Sequence, residues 1–390
     1  MPNPIYATWC ISNNIGDSLT PWLIHKITGR VPLYVPFDCE FPKVMVSGSV
    51  LNHAVKYTTV WGAGIAYQTD IISKGITCLA VRGPMTARSV RIQTGIDVVT
   101  CGDPAWLMPR YFAPATSIIP LSLLTKYKVG ICPHYLHQRE VAAWVGNRND
   151  IKILNVFDSP EQFVLGVLSC DVIYSSSLHG LVIADAYGVP SKWIECTDKL
   201  GGDGMKFYDH LIVRDCLLTK DMPVMDKLGL FVKYVEGQTE SPKYNYPIKP
   251  IHLHQLPRDI NALHEAIAYM PVPSSEARKA LCDALMSVCP FTFRPEEPLK
   301  ESTNENTKTN QKATKAKAFN SKPAKDKAKS IDSKPAEAKA VDSHNHNTGP
   351  SQEAPATAGR SQSPDTGNGN GRSDRQGGTA GGGRRANNRG

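Results

Sequence analysis

The sequence predicts an α/β protein of two Rossmann-like halves facing a cleft, followed by a disordered C-terminal tail. Three observations predict it. Short apolar runs that end in glycine, proline or serine alternate with segments of helical spacing through both halves, the pattern of parallel sheets covered by helices. Residues 170–195, CDVIYSSSLHGLVIADAYGVPSKWIE, read as a complete strand–loop–helix–strand unit. From Pro295 onward the chain turns to Lys, Ala, Ser, Asn, Gly and Pro and has too few apolar residues to offset its ordering entropy. The expected division is 1–118, 126–290 with terminal helices, and a tail over 295–390.

The 170–195 unit organises the rest. Residues 171–174 are an apolar strand, and Ser175, Ser176 and Ser177 make a polar break. Helical spacing starts at Leu178. Gly188 and Pro190 stop the helix, and 192–195 begin the next strand. His179 therefore stands in the first turn of a helix at a strand's carboxyl end. Ligands of open parallel sheets collect there, and the helix offers free N–H groups and positive potential. Histidine can exchange a proton near neutrality. The alternative is that His179 only packs the helix start.

In chain order, residues 5–9 are a strand and 19–27 a helix capped by Asp17 or Ser18 and closed by Gly29. The loop between them holds Asn14, Gly16 and Asp17. It is either a tight turn or a ligand loop. Residues 43–50 run from a strand into a small-residue loop with Gly48 and Ser49, and Gly62-Ala63-Gly64 follows the next strand. Small residues allow close backbone approach to a ligand or simple tight packing. Neither loop is a P-loop or a dinucleotide fingerprint. Residues 76–81 are a buried strand that delivers Arg82 beside a helix started by Pro84, where a guanidinium can grip phosphate or carboxylate, or form a salt bridge.

Within residues 98–107, VVTCGDPAWL, a strand is terminated by Gly102-Asp103-Pro104-Ala105. Asp103 is either a cap or the residue that orients a base or hydroxyl. Residues 111–121 read as an interdomain linker. In the second half the strand 128–132 leads to His134, a candidate acceptor contact, and to His137, expected as a solvated loop histidine. A helix around 140–145, a strand at 151–155 and a helix announced by Ser159-Pro160-Glu161-Gln162 follow. After Glu195 a glycine-rich loop precedes Lys206, which either holds an anion or sits in a surface loop. Residues 260–270 and 275–288 have helical spacing, the second capped by Ser274 or Ser275.

The chain has 390 residues, 41% hydrophobic and 21% charged, enough for two ordinary domains and more. Its formal charge of +8 lies largely in the tail, and nucleic acid is not expected as a partner. The 10 cysteines are scattered with no CxxC pair or zinc spacing, which fits reduced thiols in a cytoplasmic protein. The N-terminus has no signal-peptide pattern and no apolar run is long enough to span a bilayer.

The run SSSLHGLVIADAYGVPSKWIE resembles the signature of the polysaccharide pyruvyl transferase family. VRGPMTARS, GDPA, the Asn14-x-Gly16-Asp17 loop, the Gly48-Ser49 and Gly62–Gly64 loops and the Lys206 segment resemble further family motifs in the same order. The resemblance implies a GT-B-like pair of domains and transfer of pyruvate from phosphoenolpyruvate to a sugar as a ketal. It implies no cofactor beyond that donor substrate. The acceptor would be a saccharide of an exopolysaccharide, free or lipid-linked, met in the cytoplasm or at the inner membrane face. His179 becomes the expected catalytic residue. Arg82, Ser177, Leu178, Gly180, Lys206, Asn14, Gly16, Asp17, Gly48, Ser49, Asp103 and His134 become the expected substrate-binding set. Some members carry arginine two residues before the histidine, where Ser177 stands here, so donor binding would pass through Ser177 and the backbone. A GT-B glycosyltransferase using a nucleotide-sugar is the alternative on the same fold, and a non-catalytic nucleic-acid or polymer-binding protein acting through its tail is a third reading.

Overall fold

The computed structural model describes residues 3–12, 14–114, 127–197, 200–218 and 249–292, all within one compact unit, Met1–Thr303. The expected tail, 295–390, and most of the expected linker lie outside the described residues.

The first half carries five short strands: β1 (Tyr6–Thr8), β2 (Leu33–Tyr34), β3 (Lys43–Met45), β4 (Thr58–Trp61) and β5 (Thr77–Ala80). They pair in parallel in the order β2-β1-β3-β4-β5. The second half repeats this with β6 (Tyr127–Cys132), β7 (Ile151–Ile153), β8 (Cys170–Ser175), β9 (Ser191–Glu195) and β10 (Ile251–His252). Their order, β10-β9-β8-β6-β7, is the same one read from the other edge, again all parallel. Each sheet therefore reverses its winding once, between β1 and β3 and between β6 and β8. Such a reversal opens a crevice at the strands' carboxyl ends.

The helices are set by local signals. In α1 (Ile15–Thr28) the Asn14 side chain accepts from the Gly16 and Asp17 N–H groups, and Gly29 closes it at φ 70°. The helix thus starts ahead of the expected position 19, because Asn14 and not Asp17 or Ser18 is the cap. Pro84 begins α2 (Pro84–Thr94). The strand expected ahead of Gly102 is reduced to one bridge, Val81 to Cys101, and the segment that ends it leads into a 3-10 turn (Pro104–Leu107) and α3 (Met108–Tyr111). In the second half α4 (Gln138–Val145) and α5 (Pro160–Leu168) precede the central α6 (Leu178–Tyr187). The Ser159 hydroxyl caps α5 by accepting from Gln162 N–H. Then come α7 (Met205–Leu218), α8 (Ile260–Ala268) and α9 (Ser275–Ser287), the last capped by Ser274.

One apolar cluster runs through both halves, joining Leu19 and Leu23 of α1 to Phe163 and Val164 of α5 and Leu181 of α6. A second cluster, with Val129, Trp144, Tyr174 and Leu263, covers the far face of the second sheet under α4 and α8. Helix α9 returns to the first half: the Trp61 indole donates to Leu285 O at 3.0 Å, and Cys282 Sγ donates to Trp106 O at 3.2 Å. Both halves are thus held as one body around the crevices of their sheets.

Candidate active site

The two crevices meet in one cavity of about 120 Å³. Asn14, Gly16 and Asp17 reach it from the loop after β1, and Gly48 and Ser49 from the loop after β3. His134 and Tyr135 come from the end of β6, Val156 from beyond β7, Ser177, Leu178 and His179 from the end of β8, and Lys206 from α7. Ten of the thirteen residues singled out in the sequence line this space. Tyr135 and Val156 carried no sequence signal.

His179 sits at the centre of the wall and is only 8% exposed. Its Nε2 is 3.1 Å from Ser47 Oγ and 3.5 Å from Asp103 Oδ2. The Nδ1 edge lies against Gly16, where a Cβ would come within 2.3 Å of it. That contact explains a glycine inside the first turn of α1. Asp103 does not line the cavity; it stands behind His179, fully buried. Its Oδ1 accepts from Ala105 N–H at 2.9 Å, and Oδ2 has no hydrogen-bond partner beyond the longer His179 contact. Burial pushes its carboxyl up, but the His179 ring, the Ala105 N–H and the Arg82 charge outweigh that and hold it below the usual carboxylate range.

Helix α6 has no side-chain cap at Ser177. Ser175, which could have supplied one, instead donates to Ser177 O at 2.7 Å and accepts from Ser177 N–H at 3.1 Å. The first-turn N–H groups of α6 therefore face the cavity without a side-chain acceptor, unlike those of α1. Lys206, in the first turn of α7 and not in a surface loop, makes no hydrogen bond or ion pair among the described residues. Burial, helped by the Arg82 charge, lowers its pKa to about 8. Asp17 opposes these cations from α1, where Ser12 and Asn14 hydrogen-bond its carboxylate. Burial nevertheless raises its pKa.

Three expected contacts stand elsewhere. Arg82 is one layer behind the cavity, 1% exposed. Its guanidinium donates to Ser49 Oγ at 2.7 Å and Asp209 Oδ2 at 3.2 Å, and it is further held by Ile65 O. Asp209 also accepts from the Met85 and Thr86 N–H groups and so caps α2. A buried guanidinium needs such partners, and this pairing keeps Arg82 out of the cavity while positioning Ser49. Asp103 contacts His179 and does not reach the cavity. Gly180 lies against β6 and β8, where a Cβ would meet Ser175 Oγ at 2.3 Å; it lets α6 seat on the sheet. Of the other glycine loop, Gly62 and Gly64 pack against Pro104 and Arg82.

His137 corrects the sequence reading. It is fully buried and bridges Ser176 Oγ and Thr197 Oγ1, each at 3.1 Å. Ser176 Oγ also accepts from the His134 N–H at 2.9 Å, so the bridge supports the His134 turn. Burial, then the charges of Lys206 and His137, depress His134 to about 3, which leaves it neutral at physiological pH. Among the described residues no three His, Cys, Asp or Glu side chains converge closely enough to hold a metal ion.

A model of the polysaccharide pyruvyl transferase family matches residues 56–198. An uncharacterized protein of Acanthamoeba polyphaga mimivirus is 28% identical over 219 residues, 54% of this chain and 74% of that protein. No solved structure matches the chain. The matched segment holds Arg82, Asp103, His134 and the Ser177–Gly180 run, while the α1 loop, Gly48, Ser49 and Lys206 complete the cavity from outside it. Residues 56–198 thus carry the pattern of the polysaccharide pyruvyl transferase family, which supports a transferase and suggests pyruvyl transfer to polysaccharide.

Proposed function

We propose that this protein transfers pyruvate from phosphoenolpyruvate to two hydroxyls of one sugar, closing a ketal and releasing inorganic phosphate. The observation that carries this is the pairing, in one small cavity, of an uncapped helix N-terminus and a lysine without an ion pair among the described residues with a histidine backed by a buried carboxylate. The first two suit a compact anion. The third suits proton exchange. The cavity, at about 120 Å³, is well below the roughly 300–1,000 Å³ of sites that enclose drug-sized ligands, which favours phosphoenolpyruvate over a nucleotide-sugar. The two sheets of identical order, with their crevices opposed, support a GT-B-like reading of the fold.

The chemistry assigns roles. The α6 N–H groups and Lys206 hold the donor's phosphate and carboxylate. Ser177, in place of an arginine, leaves that task to backbone. Asp103 faces Nε2 of His179 and favours the tautomer protonated there, so Nδ1 is the atom that exchanges a proton. One proton taken from the diol passes to the donor's methylene carbon, which becomes the methyl group. The first hydroxyl oxygen bonds to the adjacent carbon. The second hydroxyl oxygen then replaces phosphate at that same carbon, and the second proton leaves as hydrogen phosphate. His134, neutral and beside Tyr135, faces the acceptor. The acceptor is an exopolysaccharide unit, free or lipid-linked; no helix of the described residues is long and apolar enough to cross a membrane.

The test incubates the full-length protein with phosphoenolpyruvate and oligosaccharide acceptors, reading phosphate release and acceptor mass. A mass gain equal to a pyruvate ketal, lost in His179→Ala, is expected. A folded His179→Ala variant that transfers pyruvate at the wild-type rate would refute the assignment.

A further inference from the structure

A second cavity, of about 300 Å³, lies at the other end of α6. It takes apolar surface from Trp106, Ala186 and Tyr187, and three cations, Arg110, Arg278 and Lys279. No acidic residue lines it, and none of its lining residues is shared with the His179 cavity. Tyr187 is eight residues beyond His179 on α6, about 12 Å along the helix axis.

Two donors at this cavity are unsatisfied, one buried behind its wall and one lining it. Trp106 is 1% exposed, and its indole N–H has no hydrogen-bond partner. Arg278 makes no hydrogen bond or ion pair among the described residues, and the Asp185 and Glu276 carboxylates act on it only from farther away. Arg110 and Lys279 share a single carboxylate, Asp283. Buried indole N–H groups normally find an acceptor, and a guanidinium presents a flat fork suited to oxyanions. Apolar walls beside such donors are the usual make-up of a small-molecule site.

We propose that this cavity is a second ligand site, which takes an organic anion: a phosphate or carboxylate head on an apolar body. The head accepts from Arg278, and the body packs against the Tyr187 ring and Ala186 over the buried Trp106. The proposal stands independently of the pyruvyl transfer reading.

The test titrates full-length protein with phenyl phosphate and with inorganic phosphate, by calorimetry and tryptophan fluorescence. The variants are Lys206→Met, which removes the anion anchor of the His179 cavity, and Arg278→Met and Trp106→Phe, which alter the second one. In the Lys206→Met background phenyl phosphate should bind with wild-type affinity and inorganic phosphate more weakly, since it lacks the apolar body. Arg278→Met should weaken phenyl phosphate at least tenfold, and Trp106→Phe should weaken it by several-fold. Gly188 packs so closely on Arg278 that a Cβ would lie 2.3 Å from Nη1, so the guanidinium also sits at the end of α6. If Arg278→Met lowers the melting temperature but leaves binding unchanged, the residue serves only that helix end and the proposal is overturned. Loss of all phenyl phosphate binding in Lys206→Met alone overturns it too. If Arg278→Met does not fold, unchanged affinity in Trp106→Phe decides against it.

Discussion

Gly16→Ala isolates the chemistry of His179 from the stability of the fold. Gly16 lies in the first turn of α1, and its φ is not in the left-handed region, so alanine suits the backbone. Alanine has the better helix propensity, by up to about 1 kcal/mol in a helix interior and less in a first turn. The new methyl group, however, would stand 2.3 Å from Nδ1 and 2.5 Å from Cε1 of His179, where ordinary contact begins at 3.4 Å. Ring and methyl must separate by roughly 1 Å, and a displacement of that size can cost about 100-fold in rate. The ring cannot retreat freely, because Ser47 and Asp103 hold its Nε2 edge. We expect a variant with a melting temperature within a few degrees of wild type. Its kcat for phosphate release should fall by about two orders of magnitude. Steady-state kinetics with phosphoenolpyruvate at saturating acceptor, beside a calorimetric melt, reads both. A folded Gly16→Ala enzyme with wild-type kcat would show that Nδ1 takes no part in proton exchange, and the mechanism would fall with it.

Other perturbations separate the remaining parts. Lys206 has a pKa near 8 and is a cation only below it, so donor KM should rise as pH climbs through 8. Lys206→Arg should move that limb to higher pH, since arginine stays charged, and a limb unchanged in Lys206→Arg would assign the titration to another group. Asp103→Asn should lower kcat by about 10²-fold or more through loss of His179 orientation, with donor KM little changed, as read from initial rates. Breaking the buried Arg82–Asp209 pair by Arg82→Met should cost about 3–5 kcal/mol in urea unfolding, because Asp209 is left buried without its cation; the double variant Arg82→Met, Asp209→Asn should recover part of that loss. Asn14→Ala removes the α1 cap and should cost about 1 kcal/mol in the same assay.

Much of the fold was legible because most elements carry local punctuation. Gly29, Pro84, Ser159, Gly188 and Ser274 start or stop helices by backbone chemistry that acts within a few residues. The edge strands β2 and β10 were not legible: each is two residues long and has no buried residue, so neither shows alternation or a buried run. The strand expected ahead of Gly102 shrank to a single bridge because an apolar run says nothing about whether a neighbouring strand is free to pair. His137 failed for a related reason. Its neighbours read as a polar loop, and only the fold shows that Ser176 and Thr197 converge on its ring. Arg82 was found at its strand end, but its burial depends on Asp209, 127 residues away.

The site was more legible than these misses suggest, for a topological reason. In each half the reversal of winding falls between the first and third strands, so the loops after those strands must flank a crevice. Those four loops carry Asn14–Asp17, Gly48–Ser49, His134 and Ser177–His179, each recognisable in sequence as small or polar residues following an apolar run. What sequence could not supply was the set of contacts that holds the two halves against each other. That comes from the apolar cluster joining α1 to α5 and α6 and from α7, whose adjacent residues Asp209 and His210 fasten opposite halves. Asp209 holds Arg82 and the start of α2, and His210 Nε2 lies 2.8 Å from Asp185 on α6. Because Lys206 sits one turn before that pair of clamps, α7 fixes the lysine relative to both walls at once. Loosening one clamp, as in His210→Ala, should therefore raise donor KM more than it lowers kcat. The opposite split would place His210 in support of His179 through α6, and would move the control of the anion site away from α7.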